Sequence, residues 1–193
     1  MMFLAAEKFV SDMRAVFAEG IPEPDRWERC RELLKQLIAD PAVKEAAKDW
    51  PITGFNPKTD RVQNLLFYED PDYGFVINGL IKNAGGTAMV HDHGPAWTIY
   101  GVLAGEERIV HFDAKQAEDE TFAIGESRAE ICRPGDVDVV QPWLIHSEYA
   151  QDEKSIAVIV RSQRSGTFEQ YRYLDDGSRV VFGGPEQVPY KLG

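Results

Sequence analysis

His91-Asp92-His93, joined much later by His146, is the stretch on which the reading of this chain turns. The sequence holds four histidines, and three of them fall at positions that suit a single metal ion. Residues i and i+2 of a β-strand project from the same face, so a strand through His91 and His93 would present two imidazoles side by side. His146 closes Pro134-Gly135-Asp136-Val137-Asp138-Val139-Val140-Gln141-Pro142-Trp143-Leu144-Ile145-His146, which reads as a turn, a strand and a second turn. Three neutral imidazoles with positions left open make a competent centre for Fe, Ni or Zn chemistry. His111, in Arg108-Ile109-Val110-His111-Phe112, belongs to no such pattern and reads as an ordinary strand histidine.

Outward from the histidines, the chain divides by periodicity. From about Arg61, short apolar runs are cut by turn residues: Leu65–Tyr68, Phe75–Ile81, Thr87–His91, Trp97–Leu103, Arg108–Phe112, Arg128–Cys132, Val137–Val140 and Ser155–Arg161. Asp70-Pro71-Asp72-Tyr73-Gly74, Asn83-Ala84-Gly85-Gly86 and Arg133-Pro134-Gly135 separate them as turns, and Asp175-Asp176-Gly177 suggests a late hairpin. Lys115 to Glu120 is polar and reads as a long loop. Many short strands at this spacing imply a sandwich or jelly-roll barrel.

Before Arg61 the period is helical. Phe3, Leu4, Phe9, Val10, Met13, Val16 and Phe17 recur on one face, and Gly20 stops the run. Trp27, Cys30, Leu33, Leu34, Leu37 and Ile38 line a second helix. Asp40-Pro41 supplies an N-cap and a first-turn proline for a third, ending near Trp50-Pro51. Some fifty residues of helix would bury little core alone, so the helices are expected to pack on the outside of the barrel. The expected organisation is one domain over 1–193: a helical segment 1–51, a metal-binding barrel 60–165, and C-terminal strands and tail 166–193.

The 193 residues are 44% hydrophobic and 11% aromatic, as in a soluble globular protein. A net charge of −11 argues against nucleic acid or an anionic membrane as partner. Two cysteines, Cys30 on a helix and Cys132 on a strand, offer no disulfide framework and suit a reducing cytoplasm. The N-terminus is acidic in its first turns and reads as a helix, not a signal peptide. No apolar run approaches a membrane span.

The spacing Gly85-x5-His91-x-His93, followed by Gly105, resembles the first motif of the cupin superfamily, and Gly135 with His146 keeps the spacing of the second. Thr98 stands where that family usually has a glutamate, and Gln141, Trp143 and Ala150 replace a proline, a glycine and an asparagine. The resemblance implies a cupin double-stranded β-helix with His91, His93 and His146 as metal ligands and no carboxylate. That ligand set is similar to the thiol dioxygenases, those of cysteine and of 3-mercaptopropionate, over roughly residues 60 to 165. It implies Fe(II), O2 and a small thiol or carboxylate-bearing substrate.

On that likeness Gln63 aligns with the glutamine that faces substrate carboxylate in the mercaptopropionate branch. Ala157, Ile159 and Arg161 replace the Ser-x-His-x-Tyr relay, and Arg161, sharing a face with the other two, is a candidate carboxylate contact. Trp97 and Trp143, each near a ligand histidine in sequence, are candidates for the pocket mouth; Tyr100 and Tyr149 are candidate proton donors. Two other functions stay open: a Zn, Ni or Mn isomerase or lyase, and a non-catalytic metal-dependent binding module. Cupins often pair through their sheets, which implies a homodimer.

Overall fold

A computed structural model describes residues 4–59, 61–116 and 121–192. Three helices come first: α1 (Leu4–Ala18), α2 (Glu23–Ala39) and α3 (Pro41–Ala47). Gly20, at φ +67°, turns the chain out of α1 in the left-handed region glycine tolerates. Asp40 caps α3 as its sequence position suggests, accepting through Oδ1 from the N–H groups of Ala42 (2.8 Å) and Val43 (3.2 Å). This helix ends at Ala47, short of the expected Trp50, whose ring is buried against Phe67 with centroids 4.6 Å apart.

The strands follow as β1 (Phe55–Asn56), β2 (Arg61–Glu69), β3 (Val76–Lys82), β4 (Thr98–Ala104), β5 (Glu107–Gln116), β6 (Phe122–Cys132), β7 (Val137–Val140), β8 (Ile145–Ala150), β9 (Ser155–Arg161), β10 (Gln170–Tyr173), β11 (Arg179–Phe182) and β12 (Glu186–Pro189). One sheet runs β1-β2-β3-β9-β4-β7, with β12 parallel to β2; β6-β5-β8 form a second, and β10-β11 a hairpin. Two facing antiparallel sheets joined by non-sequential neighbours are the mainly β double-stranded β-helix expected from the sequence.

Strand β9 shows how its layers are divided. Ile156, Val158 and Val160 face the helices and belong to the apolar core there, with Trp27, Leu34, Ile38, Phe75 and Ile99. Ala157 and Ile159 face the barrel interior beside Tyr100, Val102 and Ile109. The helices thus pack on the outside of the barrel, as expected. They sit close because Gly101 has no side chain: a Cβ there would meet Leu34 and Ile38 at 3.1–3.2 Å.

Two expected elements differ. Thr87–His91 is not a strand; it makes isolated bridges, Thr87 to Tyr149 and His91 to both His146 and Arg172. The segment lies between β8 and β10 and satisfies its backbone by alternating between them, with Ala88 N–H on Glu148 O and Tyr173 N–H on Val90 O. Lys115 and Gln116, expected in a loop, extend β5 and pair with Ala123 and Phe122; positions 117–120 of that loop, and Phe3, lie outside the described residues. Among the described residues no helix is long and apolar enough to cross a membrane.

Candidate metal centre

His91, His93 and His146 come together in the barrel interior, each buried. One ligand nitrogen from each lies within 4.8 Å of the others, and the Nε2 atoms of His91 and His93 are 3.2 Å apart. Two nitrogens bound to one ion at ~2.0–2.1 Å would stand roughly 3 Å apart, so the spacing fits a shared ion. His146 is the second residue of β8, not the end of a turn, and it exchanges both backbone hydrogen bonds with His91 (3.0 and 2.9 Å).

His91 and His93 converge by a route the sequence did not suggest. His93 lies beyond the bridge in a bend, so strand parity does not align the two rings. The bend is held by Asp92, fully buried, whose Oδ1 accepts from the N–H groups of Gly94 (2.8 Å) and Tyr171 (3.1 Å). Its Oδ2 accepts from the Tyr173 hydroxyl (3.0 Å). Gly94, at φ +53°, passes so near Glu169 that a Cβ would lie 2.1 Å from its carbonyl oxygen.

Hydrogen bonding also sets the tautomers. His91 Nδ1 faces Met89 O at 2.8 Å and His146 Nδ1 faces Leu144 O at 3.0 Å. A carbonyl only accepts, so both Nδ1 atoms carry protons. His91 Nε2 is thereby left with its lone pair, whereas His146 Nε2 faces the Glu148 carboxylate and donates to a metal only once it has given up its proton. Burial, then the nearby His146, lowers His91 to about 4, and burial lowers His93 well below the ordinary value. Both are therefore neutral and ready to donate electrons.

The sequence reading missed Glu148. Its place two residues beyond His146 was the available signal, because the two share a face once β8 is a strand. Its Oε1 lies 3.3 Å from His146 Nε2. Burial alone would raise the Glu148 carboxyl, but His146 holds it far below the usual carboxylate range. His146 is raised in turn: burial lowers it, and the Glu148 carboxylate more than reverses this.

A cavity of about 280 Å3 opens onto His91 and is bordered by Glu148, Arg161, Gln63, Asn64 and Lys82 among others. Arg161 is 4% exposed, and its Nε has no partner. With its amide oriented to satisfy both ends, Asn64 donates to Gln63 O (2.9 Å) and accepts from Arg161 Nη1 (3.2 Å). Burial draws the guanidinium down to about 10, against the charge of Glu148. Thr98 stands opposite Arg161 in the β4–β9 ladder, fully buried, and its hydroxyl is unpartnered.

The other candidates take different places. Gln63 borders the cavity, but its amide donates to Glu186 Oε2 (2.9 Å). Trp97 belongs to the core under the helices and donates through Nε1 to Glu23 of α2 (3.0 Å), so it does not form the mouth. Trp143 does not border the cavity; it is 53% exposed at φ +65°, near Tyr171. Tyr149 alternates away from His146 on β8, and Arg108 lies over its ring. The Tyr100 hydroxyl donates to Glu107 Oε2 (2.7 Å) and accepts from Lys82 (3.1 Å), while Lys82 also donates to Glu107 (2.6 Å). Burial, then Glu107, pushes that phenol well above its ordinary value, so its proton is held within this trio. His111 pairs with Asp138 (3.2 Å).

No family model matches the chain, and no curated protein matches it either. Solved structures do. Peruvianin-I, described as a cysteine peptidase from Thevetia peruviana latex, is 16% identical over 47% of this chain and 51% of its own, with a TM-score of 0.37. Recombinant oxalate oxidase in complex with glycolate is 20% identical over 47% of this chain and 42% of its own, at 0.38. A cupin 2 domain-containing protein from Halorhodospira halophila is 18% identical over 56% and 64%, at 0.43. The chain therefore spans about half the length of the first two. Likeness this distant carries no argument about activity, and the fold rests on the strand order itself.

Proposed function

We propose that this chain is a mononuclear non-haem Fe(II) enzyme that oxygenates a small carboxylate-bearing substrate with O2. Arg161 is the observation that carries the reading: a buried guanidinium with an unpartnered Nε–H, in one cavity with His91. A buried cation demands an anion, and an arginine fork suits a carboxylate. Thr98 strengthens this. A glutamate there would face Arg161 directly and neutralise it; threonine leaves the guanidinium for a ligand.

The histidine set fits an ion because one nitrogen of each converges within 4.8 Å and two of its Nδ1 protons are spent on carbonyls. Bound Fe(II) would supply open positions at which substrate and O2 meet. Arg161 would orient the substrate through its carboxylate. Ala157 and Ile159, facing inward, keep water from that side of the site. With His146 Nε2 committed to an ion, Glu148 would lose the partner that depresses its carboxyl. Its Oε1 would then be the group placed to take or return a proton, in the role first sought in Tyr100 and Tyr149. Gln63, through Asn64, steadies Arg161.

Glu148 also favours a second reading, in which Zn, Ni or Mn acts as a Lewis acid and Glu148 is general base of an isomerase or lyase. One experiment separates them: elemental analysis of protein purified without added metal, beside the His91→Ala/His93→Ala variant, followed by O2 uptake on a panel of small thiols and acids. Near-stoichiometric iron absent from the variant, with substrate-dependent O2 uptake, supports the oxygenase. Zinc or nickel with no O2 uptake moves the assignment to Lewis-acid chemistry. Ligand binding without turnover leaves a metal-dependent binding module, and no metal in either protein sinks the metalloenzyme.

A further inference from the structure

Resting on the carboxylate reading above, we infer that the ligand is a small monocarboxylate with an apolar tail, held by Arg161 at one end and by Phe182 and Phe55 at the other. The cavity's 280 Å3 is just below the usual range of about 300–1,000 Å3 for small-molecule sites, so the ligand is short. Charged and apolar groups both line it: His91, Glu148 and Arg161, with Leu80, Met89 and Phe182, and with Ile52 and Phe55 exposed at its opening.

Charge restricts the ligand to one carboxylate. Two cations border the cavity, but Lys82 is spent on Glu107 at 2.6 Å and on Tyr100 at 3.1 Å. Glu148 adds a negative charge to the same space. Beyond Arg161 and the open positions of the metal, no cation is free to receive a carboxylate, so a second one carried at the apolar tail would be desolvated.

The apolar end stands on separate observations. Phe55 is 57% exposed and Ile52 42%, both at this opening. Large side chains left uncovered at the rim of a cavity mark a place where apolar surface is to be buried on binding. The Phe182 ring packs T-shaped against His91 with centroids 6.0 Å apart, which sets an aromatic surface beside the histidine centre.

The test is binding, not turnover: anaerobic calorimetric titration of the protein as purified with acetate, butyrate and hexanoate, and with succinate and adipate. Affinity is expected to rise about two- to fourfold per added methylene along the monocarboxylates, with each dicarboxylate about tenfold or more weaker than its monocarboxylate of equal length. In Phe55→Ser, exposed and safe for folding, the dependence on tail length should flatten while acetate binding is kept. Equal or tighter dicarboxylate binding, a flat series, or an unchanged slope in Phe55→Ser would overturn the inference and leave the carboxylate reading standing. No carboxylate binding at all would overturn both.

Discussion

Thr98 and Arg161 face each other across the β4–β9 ladder, and neither the threonine hydroxyl nor the arginine Nε has a partner. A buried guanidinium beside an uncharged neighbour is suited to an anion. Supplying one from within, with Thr98→Glu, should pair Arg161 and lower affinity for small carboxylates by about tenfold or more, the worth of one charge-assisted hydrogen bond. Calorimetry on variant and parent checks this, and undiminished affinity would disconnect Arg161 from the ligand.

Glu148 shapes the metal centre through His146. Glu148→Gln keeps the shape and removes a negative charge beside the ligating nitrogen of His146, so metal affinity should fall about tenfold or more, the worth of one nearby opposite charge. Competition with a chromophoric chelator reads this directly. An unchanged dissociation constant would make Glu148 a bystander.

Lys82 and Glu107 form a buried pair, 2.6 Å apart, both nearly or wholly inaccessible. Losing one partner strands the other charge, and Lys82→Met alone is expected to cost about 3–5 kcal/mol. Adding Glu107→Gln should recover most of that, since the stranded charge goes and Tyr100 keeps an acceptor. Urea denaturation of the two singles and the double closes the cycle; additive losses would mean the pair is not coupled.

Asp70 links stability to acid. Burial alone would raise its carboxyl, but the N–H groups of Tyr73 and Asp72, and then Arg14, hold it below its ordinary value. A depressed carboxylate stabilises the fold above its unfolded pKa, near ~3.9, and that contribution is lost as pH falls through the lower folded value. Asp70→Asn should therefore be less stable than the parent at pH 7, with the gap narrowing as pH falls below ~3.9. A gap that persists in acid would rule out titration of Asp70 as its source.

What the sequence made legible was whatever a single regular strand could carry. Ala157, Ile159 and Arg161 share a face because β9 is unbroken, and alternation alone predicts it. Parity failed where the chain bends. Trp97 was expected at the mouth for its nearness to His93 in sequence, yet a turn separates the two and it faces the helices. Reading His146 as a terminus hid Glu148, two residues further along the same strand. The convergence of His91 and His93 depends on Asp92 and on Tyr171 and Tyr173, contacts from a hairpin whose arrival no local pattern announces.

The alternation of β9 between helix-facing and inward residues has an evolutionary corollary. Changes at Ile156, Val158 and Val160 act on adhesion of the helical layer, whereas changes at Ala157, Ile159 and Arg161 act on the chemistry within. One strand therefore offers two nearly independent sets of mutable positions, and selection for a new reaction can revise the inner set without renegotiating the outer one. A single inserted residue would exchange the sets, driving a guanidinium into oil and valines into the cavity beside His91, so such lineages should diversify by substitution here and not by insertion.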